Sequence, residues 1–204
     1  MRTGGGILAA AALLAALVAG PVAASASKPA SLPEFGAAKP PVGFVRFCVA
    51  QPEECRNKER TIFTSRASMT TEMWSALNKV NAYVNGRIRP VSDQDLYGQV
   101  EHWTYPVNAG DCEDFVLLKK RYLEGLGFSP STLLITVVLD EKGEGHAILT
   151  VATTEGDFIL DNRRDQILRW DDSNYTFLKR QSARDPLQWT SLSRRSQGAA
   201  PIVS

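Results

Sequence analysis

The sequence predicts an α+β fold, with helices gathered on one side of an antiparallel β-sheet. Three observations carry that reading. Apolar residues Met69, Met73, Leu77, Val80 and Val84 follow one another at helical spacing. A second helical segment, Asp111 to about Leu126, starts from a glycine turn and closes at Gly127. Beyond it the period changes, and short runs rich in β-branched residues alternate with turns short enough to favour antiparallel pairing.

Taken in order, residues 1–26 read as a signal peptide. Arg2 supplies the positive end, Ile7 to Val18 is an unbroken apolar run, and Ala24-Ser25-Ala26 offers the small residues that signal peptidase requires. The run is too short to span a bilayer comfortably and no second one follows. No cysteine lies near the cleavage site, which speaks against a lipoprotein. The expected location is periplasmic or secreted. Removal of this segment leaves 178 of the 204 residues, enough for one domain with a core and too few for two ordinary ones.

Residues 27–43, rich in Pro, Ala, Ser and Lys, read as a linker, and the domain as 44–190. Phe44 to Phe47 is assigned a short strand leading into a loop bounded by Cys48 and Cys55. Ser68 is the expected cap of the first long helix and Gly86 its end. Arg87 to Val91 is an extended connector, and Asp95-Leu96-Tyr97-Gly98 begins a loop that carries His102, Trp103 and Pro106 towards Cys112. In the second helix, Phe115, Leu118 and Tyr122 form the expected buried face. Strands are placed at Thr132–Leu139, Gly145–Ala152 and Asp157–Asp161, with shorter ones at Gln166–Trp170 and Tyr175–Arg180. Residues 191–204 read as a loose tail.

The formal charge of +1 gives no general electrostatic case for nucleic acid or an anionic membrane. Only two histidines and three cysteines occur, without a C-x-x-C pair, so a zinc site is not expected. Nothing calls for an organic cofactor. In an oxidising compartment Cys48 and Cys55 are placed to pair, which leaves Cys112 free.

Cys112 stands in Gly110-Asp111-Cys112-Glu113-Asp114-Phe115, at the first turn of the second helix. Unpaired backbone N–H groups and the macrodipole favour a thiolate there, and a thiolate attacks carbonyls. The flanking acids push the other way, so a cationic partner is needed. His146, in Gly145-His146-Ala147-Ile148-Leu149, is the candidate, and Asp161 the candidate to orient it. The latter two fall 15 residues apart across one turn, on neighbouring strands at similar heights. Perfect opposition requires a turn centred between Thr153 and Thr154, whereas Gly156 suggests a later one, an offset for a bulge or longer loop to absorb.

These three motifs, in this order, resemble those of the bacterial transglutaminase-like cysteine peptidases, within the papain- and transglutaminase-like fold class. The resemblance covers roughly Phe44 to Trp170 and includes Tyr97-Gly98 and the approach from Trp103 to Pro106. It implies Cys112 as nucleophile, His146 as general base and acid, and Asp161 as orienter. For the oxyanion it implies the Cys112 backbone N–H, with the Trp103 indole N–H a second candidate; Trp103 reads equally as groove wall or core. The best-known members are calcium-dependent periplasmic proteases that clip surface adhesins. Calcium ligands at the matching positions are Asp111 and Asp114, two acids that serve equally as helix N-terminal groups without a metal. The implied partner is a protein or peptide substrate such as an adhesin; a regulatory membrane receptor does not follow from these residues. One departure is Ala147, where adhesin-cleaving members carry a bulkier residue, which leaves the substrate open. Two other readings stand beside hydrolysis: acyl transfer or amidase chemistry on protein or cell-wall substrates, and a non-catalytic, calcium-linked binding module.

Overall fold

A computed structural model describes residue 1 and residues 31–56 and 63–194. The signal-peptide assignment and residues 195–204 of the expected tail fall outside these. The chain runs β1 (Ala37–Ala38), α1 (Val42–Ala50), α2 (Thr71–Arg87), β2 (Arg89–Pro90), α3 (Asp93–Tyr97), β3 (Ala109–Gly110) and α4 (Cys112–Gly125). It continues through β4 (Leu133–Leu139), β5 (Gly145–Thr153), β6 (Gly156–Asp161), β7 (Arg164–Arg169), β8 (Thr176–Gln181) and β9 (Trp189–Ser191). Seven strands form one sheet in the order β1-β9-β8-β4-β5-β6-β7, every neighbouring pair antiparallel. β2 and β3 form a separate parallel pair. This is the α+β architecture that the pattern of elements predicts.

Strand alternation divides the core in two. Ala147, Leu149 and Val151 of β5 face the helices and pack with Leu77, Val84, Phe115 and Leu123. The intervening side chains belong to the opposite face, where Ile148 packs with Val138, Ile159, Tyr175 and Phe177. Leu32 and Leu192 join that second cluster, so part of each terminal region covers the sheet.

Several local assignments change. Phe44 to Phe47 is helical: both side chains are buried, and residues three apart share a helix face but lie on opposite faces of a strand. α2 is capped by Thr70, whose hydroxyl accepts from the Met73 N–H, and not by Ser68. Its last residue is Arg87, one past Gly86. The Asp95–Gly98 stretch belongs to a short helix, α3, capped by Ser92 and closed by Gly98 at φ 66°. In α4 the buried face runs through Cys112, Phe115, Val116, Lys119 and Leu123, while Tyr122 is 39% exposed. A buried lysine breaks the apolar pattern and hides the true phase of that helix.

The expected linker is tied to the domain at Leu32, which is buried, and at β1, while residues 33–37 are exposed. Leu32 N–H donates to Asp157 Oδ2 at 2.8 Å, and β1 pairs with β9. Buried Asp157 also accepts from Arg66 at 2.6 and 2.7 Å and from Arg180 at 2.9 Å. One desolvated carboxylate thereby ties β6 to β8, to the loop before α2 and to the segment before β1, and its charge is offset by two guanidinium groups. Cys48 of α1 and Cys55 form a disulfide, and Cys112 is free.

Candidate active site

The site forms where β5 and β6 part. Their ladder runs from Thr153↔Gly156 to Leu149↔Leu160 and stops there. Two residues further along β5, Ala147 donates its N–H to Cys112 Sγ at 3.3 Å. The N-terminus of α4 therefore meets a stretch of β5 that β6 has released, and the thiol lies beside the residue that follows His146.

The offset across the β5–β6 turn needs no bulge. The turn residues are Thr154 and Glu155, with Gly156 at φ 132° completing the reversal. Continued register places Asp161 across from Ile148, two residues from His146 and on the same face. The histidine spans that diagonal, with Nε2 2.9 Å from Asp161 Oδ1. A proton shared with the carboxylate on Nε2 leaves Nδ1 as the acceptor nitrogen. Nδ1 is buried and has no hydrogen-bond partner among the described residues.

Asp161 is itself held on both oxygens. Oδ1 also accepts from the Arg163 N–H at 3.0 Å, and Oδ2 accepts from the Tyr175 hydroxyl at 2.5 Å. Burial opposes its anion, yet the hydrogen bond and charge of His146, with Tyr175 and Arg163, hold the carboxyl down at about 2. Cys112 behaves in the opposite sense. Burial first, then Glu113 and Asp111, push its thiol well above the ordinary value, and the Ala147 N–H only partly compensates. Desolvation and the neighbouring acids both disfavour the thiolate.

Asp111 is the N-cap residue of α4 but makes no side-chain cap hydrogen bond. Its Oδ2 accepts instead from the Asp93 N–H at 3.2 Å. One oxygen each from Asp93, Asp111 and Glu113 lies within 4.8 Å of the others. Asp93 Oδ1, Asp111 Oδ1 and Glu113 Oε1 are buried without hydrogen-bond partners among the described residues. Burial and mutual repulsion raise Asp111 to about 6 and Glu113 well above its ordinary value. Converging carboxylates that each keep one buried oxygen unpaired among the described residues fit a hard cation. Glu113 joins the two halves of the site, since its Oε2 accepts from the Cys112 S–H at 3.3 Å.

Asp114 lies outside this trio. Its Oδ1 accepts from the Thr104 N–H at 2.8 Å, and burial raises it to about 8. Its Oδ2 lies 2.5 Å from where a side chain on Gly110 would begin, so only glycine fits ahead of this turn. Trp103 is buried edge-on to Phe44, and its indole packs on Gly43 of α1, where any added Cβ would clash.

A family model described as bacterial transglutaminase-like cysteine proteinase matches residues 34–197. The chain belongs to this family. Calcium-bound Legionella pneumophila LapG is similar in fold, with a TM-score of 0.51 and 24% identity over 64% of this chain and 74% of that one. Another LapG structure gives 26% identity and a TM-score of 0.47, covering 53% of this chain and 64% of LapG's length. No curated protein matches in sequence. Among the described residues, no helix is long and apolar enough to cross a membrane.

Three residues of the candidate site escape the sequence reading, and so does a buried lysine deeper in α4. Glu113 stands in the quoted motif but reads there only as a flanking acid. Asp93 and Tyr175 come from distant segments and carry no local signal. Lys119 lies on the buried face of α4, two turns beyond Cys112, with 0% exposure and no hydrogen-bond partner for Nζ among the described residues. Burial lowers it from an ordinary 10.5 to about 7, against the opposing pull of Asp161 and Asp165.

The Lys119 shift has a measurable sign. Between pH 7 and 10 the unfolded chain binds a proton that the folded chain lacks, so this group's contribution to stability rises with pH across that window. Lys119→Met removes the penalty and is expected to stabilise the fold at pH 7 by roughly 1–4 kcal/mol, as replacement of buried charge does elsewhere. Denaturant unfolding at pH 7 and at pH 9.5 should show a smaller difference in the variant. Equal pH dependence in both proteins would refute the assignment.

Proposed function

We propose that this peptidase hydrolyses peptide bonds in exported proteins, with Cys112 as nucleophile, His146 as general base and then acid, and Asp161 as its orienting anion. One observation carries the reading. His146 is bound to Asp161 through Nε2 with Nδ1 left over, while the Cys112 sulfur rests on the next backbone N–H of the same strand.

In the first step Nδ1 of His146 takes the thiol proton, and the thiolate forms a bond to the substrate carbonyl carbon. The imidazolium, supported by Asp161, then protonates the departing amine as the C–N bond breaks and a thioester remains. Nδ1 next takes a proton from water, whose oxygen attacks the thioester; the acid leaves and the proton returns to sulfur. The developing oxyanion needs donors. The Cys112 backbone N–H is suited to this, being among those a helix leaves without intrahelical acceptors. The Trp103 indole, packed on α1, supports a role in the core in preference to one at the oxyanion.

Calcium is the cation proposed for Asp93, Asp111 and Glu113. The convergence of these three carboxylates, each with one buried oxygen unpaired among the described residues, supports it, as does the calcium-bound state of LapG. Bound there, the ion supplies positive charge beside the thiol. The proposed substrate is a protein, with a surface adhesin the class that the family resemblance favours. The proposed export rests on the charged, apolar and small-residue order of residues 1–26.

Two tests follow from this reading. Mature protein incubated with a fluorescence-quenched peptide library should give cleavage products by mass spectrometry. Cys112→Ala should abolish them, and Asp161→Asn should slow them roughly 10- to 10,000-fold while keeping the fold. Folded Cys112→Ala protein with full cleavage would rule the mechanism out.

For the cation, calorimetric titration with calcium chloride should give a binding heat that Asp93→Asn and Asp111→Asn each weaken. Calcium at 100 times its Kd should stabilise the wild type by about 2.7 kcal/mol. Absence of both heat and thermal shift would leave the acids without a metal role.

A further inference from the structure

The connection from β7 to β8 determines what lies over the His146–Asp161 pair. β7 is an edge strand, and β8 lies beyond β6, β5 and β4 in the sheet order. The chain must therefore cross three strands, and it does so on the face away from the helices, where Trp170 and Tyr175 pack against the Ile148–Ile159 cluster. His146 and Asp161 are on this same face, each only 1% exposed. The crossover brings Tyr175 to them: its ring centroid lies 5.6 Å from that of His146, and its hydroxyl donates to Asp161 Oδ2.

We propose that Tyr175 is a positioning residue for the reaction, acting through Asp161. The inference rests on the triad reading above. A carboxylate turns about a soft sp³–sp² torsion, so the bonds from His146 and the Arg163 N–H, both to Oδ1, leave its plane poorly fixed. Tyr175 engages the other oxygen at 2.5 Å, opposite the Oδ1 that serves His146 and the Arg163 N–H, while the Arg164 guanidinium stands further from Oδ2 at 3.6 Å, beyond hydrogen-bond range. Two anchors on two oxygens define the plane. The imidazole bonded to it then keeps Nε2 on Asp161 and Nδ1 on the other side of the ring. The phenol remains a donor throughout, because burial and the neighbouring Asp161 raise its pKa. The ring meanwhile covers the pair, and in a water-poor setting the Asp161–imidazolium attraction is stronger than in solvent.

Tyr175→Phe keeps the ring and removes only the donor. With a peptide that the wild-type chain cleaves, kcat should fall roughly 10- to 100-fold, the range for one hydrogen bond to a charged group. KM should stay within about two-fold, since the interaction acts on chemistry and not on substrate binding. The decisive comparison is made in Asp161→Asn protein, where Tyr175→Phe should add almost nothing because its target is already altered. Three results overturn the inference: wild-type kcat, the same loss in both backgrounds, or a loss that follows a lowered melting temperature and raised KM. Cys112→Ala in parallel separates the two readings, because retained cleavage there refutes the triad itself, whatever Tyr175 does.

Discussion

The site depends on a parted ladder. Where β6 leaves β5 after Leu149, the Ala147 N–H becomes available and the sulfur of Cys112 takes it. A buried backbone donor without an acceptor costs free energy, so this contact fixes the strand edge and the helix start together. It also bridges the two faces of the sheet. α4 lies on one face and the His146 side chain on the other, and the contact of Cys112 with the Ala147 backbone lies where the strands separate.

The surrounding elements hold that junction. Asn85 of α2 donates to the Asp161 carbonyl at 3.0 Å and to Asp165 at 2.9 Å, which pins the β6–β7 turn. β2 pairs with β3 through Pro90↔Gly110, and the Val91 N–H reaches the Gly110 carbonyl at 3.0 Å, so the turn before Cys112 is anchored as well. The first turn of α4 then divides its acids between two duties. Asp114 ties the helix start to the Thr104 backbone, while Asp111 and Glu113 converge with Asp93. Glu113 belongs to the acidic trio and also accepts from the thiol. Charge held by the trio is therefore felt at the sulfur over a very short path.

Much of the fold was legible because periodicity survives in α2 and in the strands from Leu133 onwards. It failed where one residue broke the pattern. Lys119 concealed the phase of α4, and Phe44 and Phe47, read as a strand, share a face only in a helix. α3 is a single short turn of helix, below the length at which periodicity means anything. Within the site, Cys112, His146 and Asp161 stood out because a free thiol, an imidazole and a carboxylate at strand spacing are scarce in this chain. Asp93 and Tyr175 did not, since they reach the site through α3 and through the crossover, which only the tertiary structure reveals. Asp111 pairs with Asp114 by sequence spacing, whereas Asp93 and Glu113 are the carboxylates that lie within 4.8 Å of it in space.

The central claim is that Cys112 and His146 act as one ionising unit despite burial and acidic neighbours. The most direct measurement is the rate of Cys112 alkylation by iodoacetamide from pH 4 to 10. In the wild type, reactivity should persist well below the ordinary thiol pKa of about 8.5, because the imidazolium supports the thiolate. His146→Ala should remove that acidic reactivity and leave one late rise at high pH. Identical profiles, both rising only in the ordinary thiol range or above, would contradict the account.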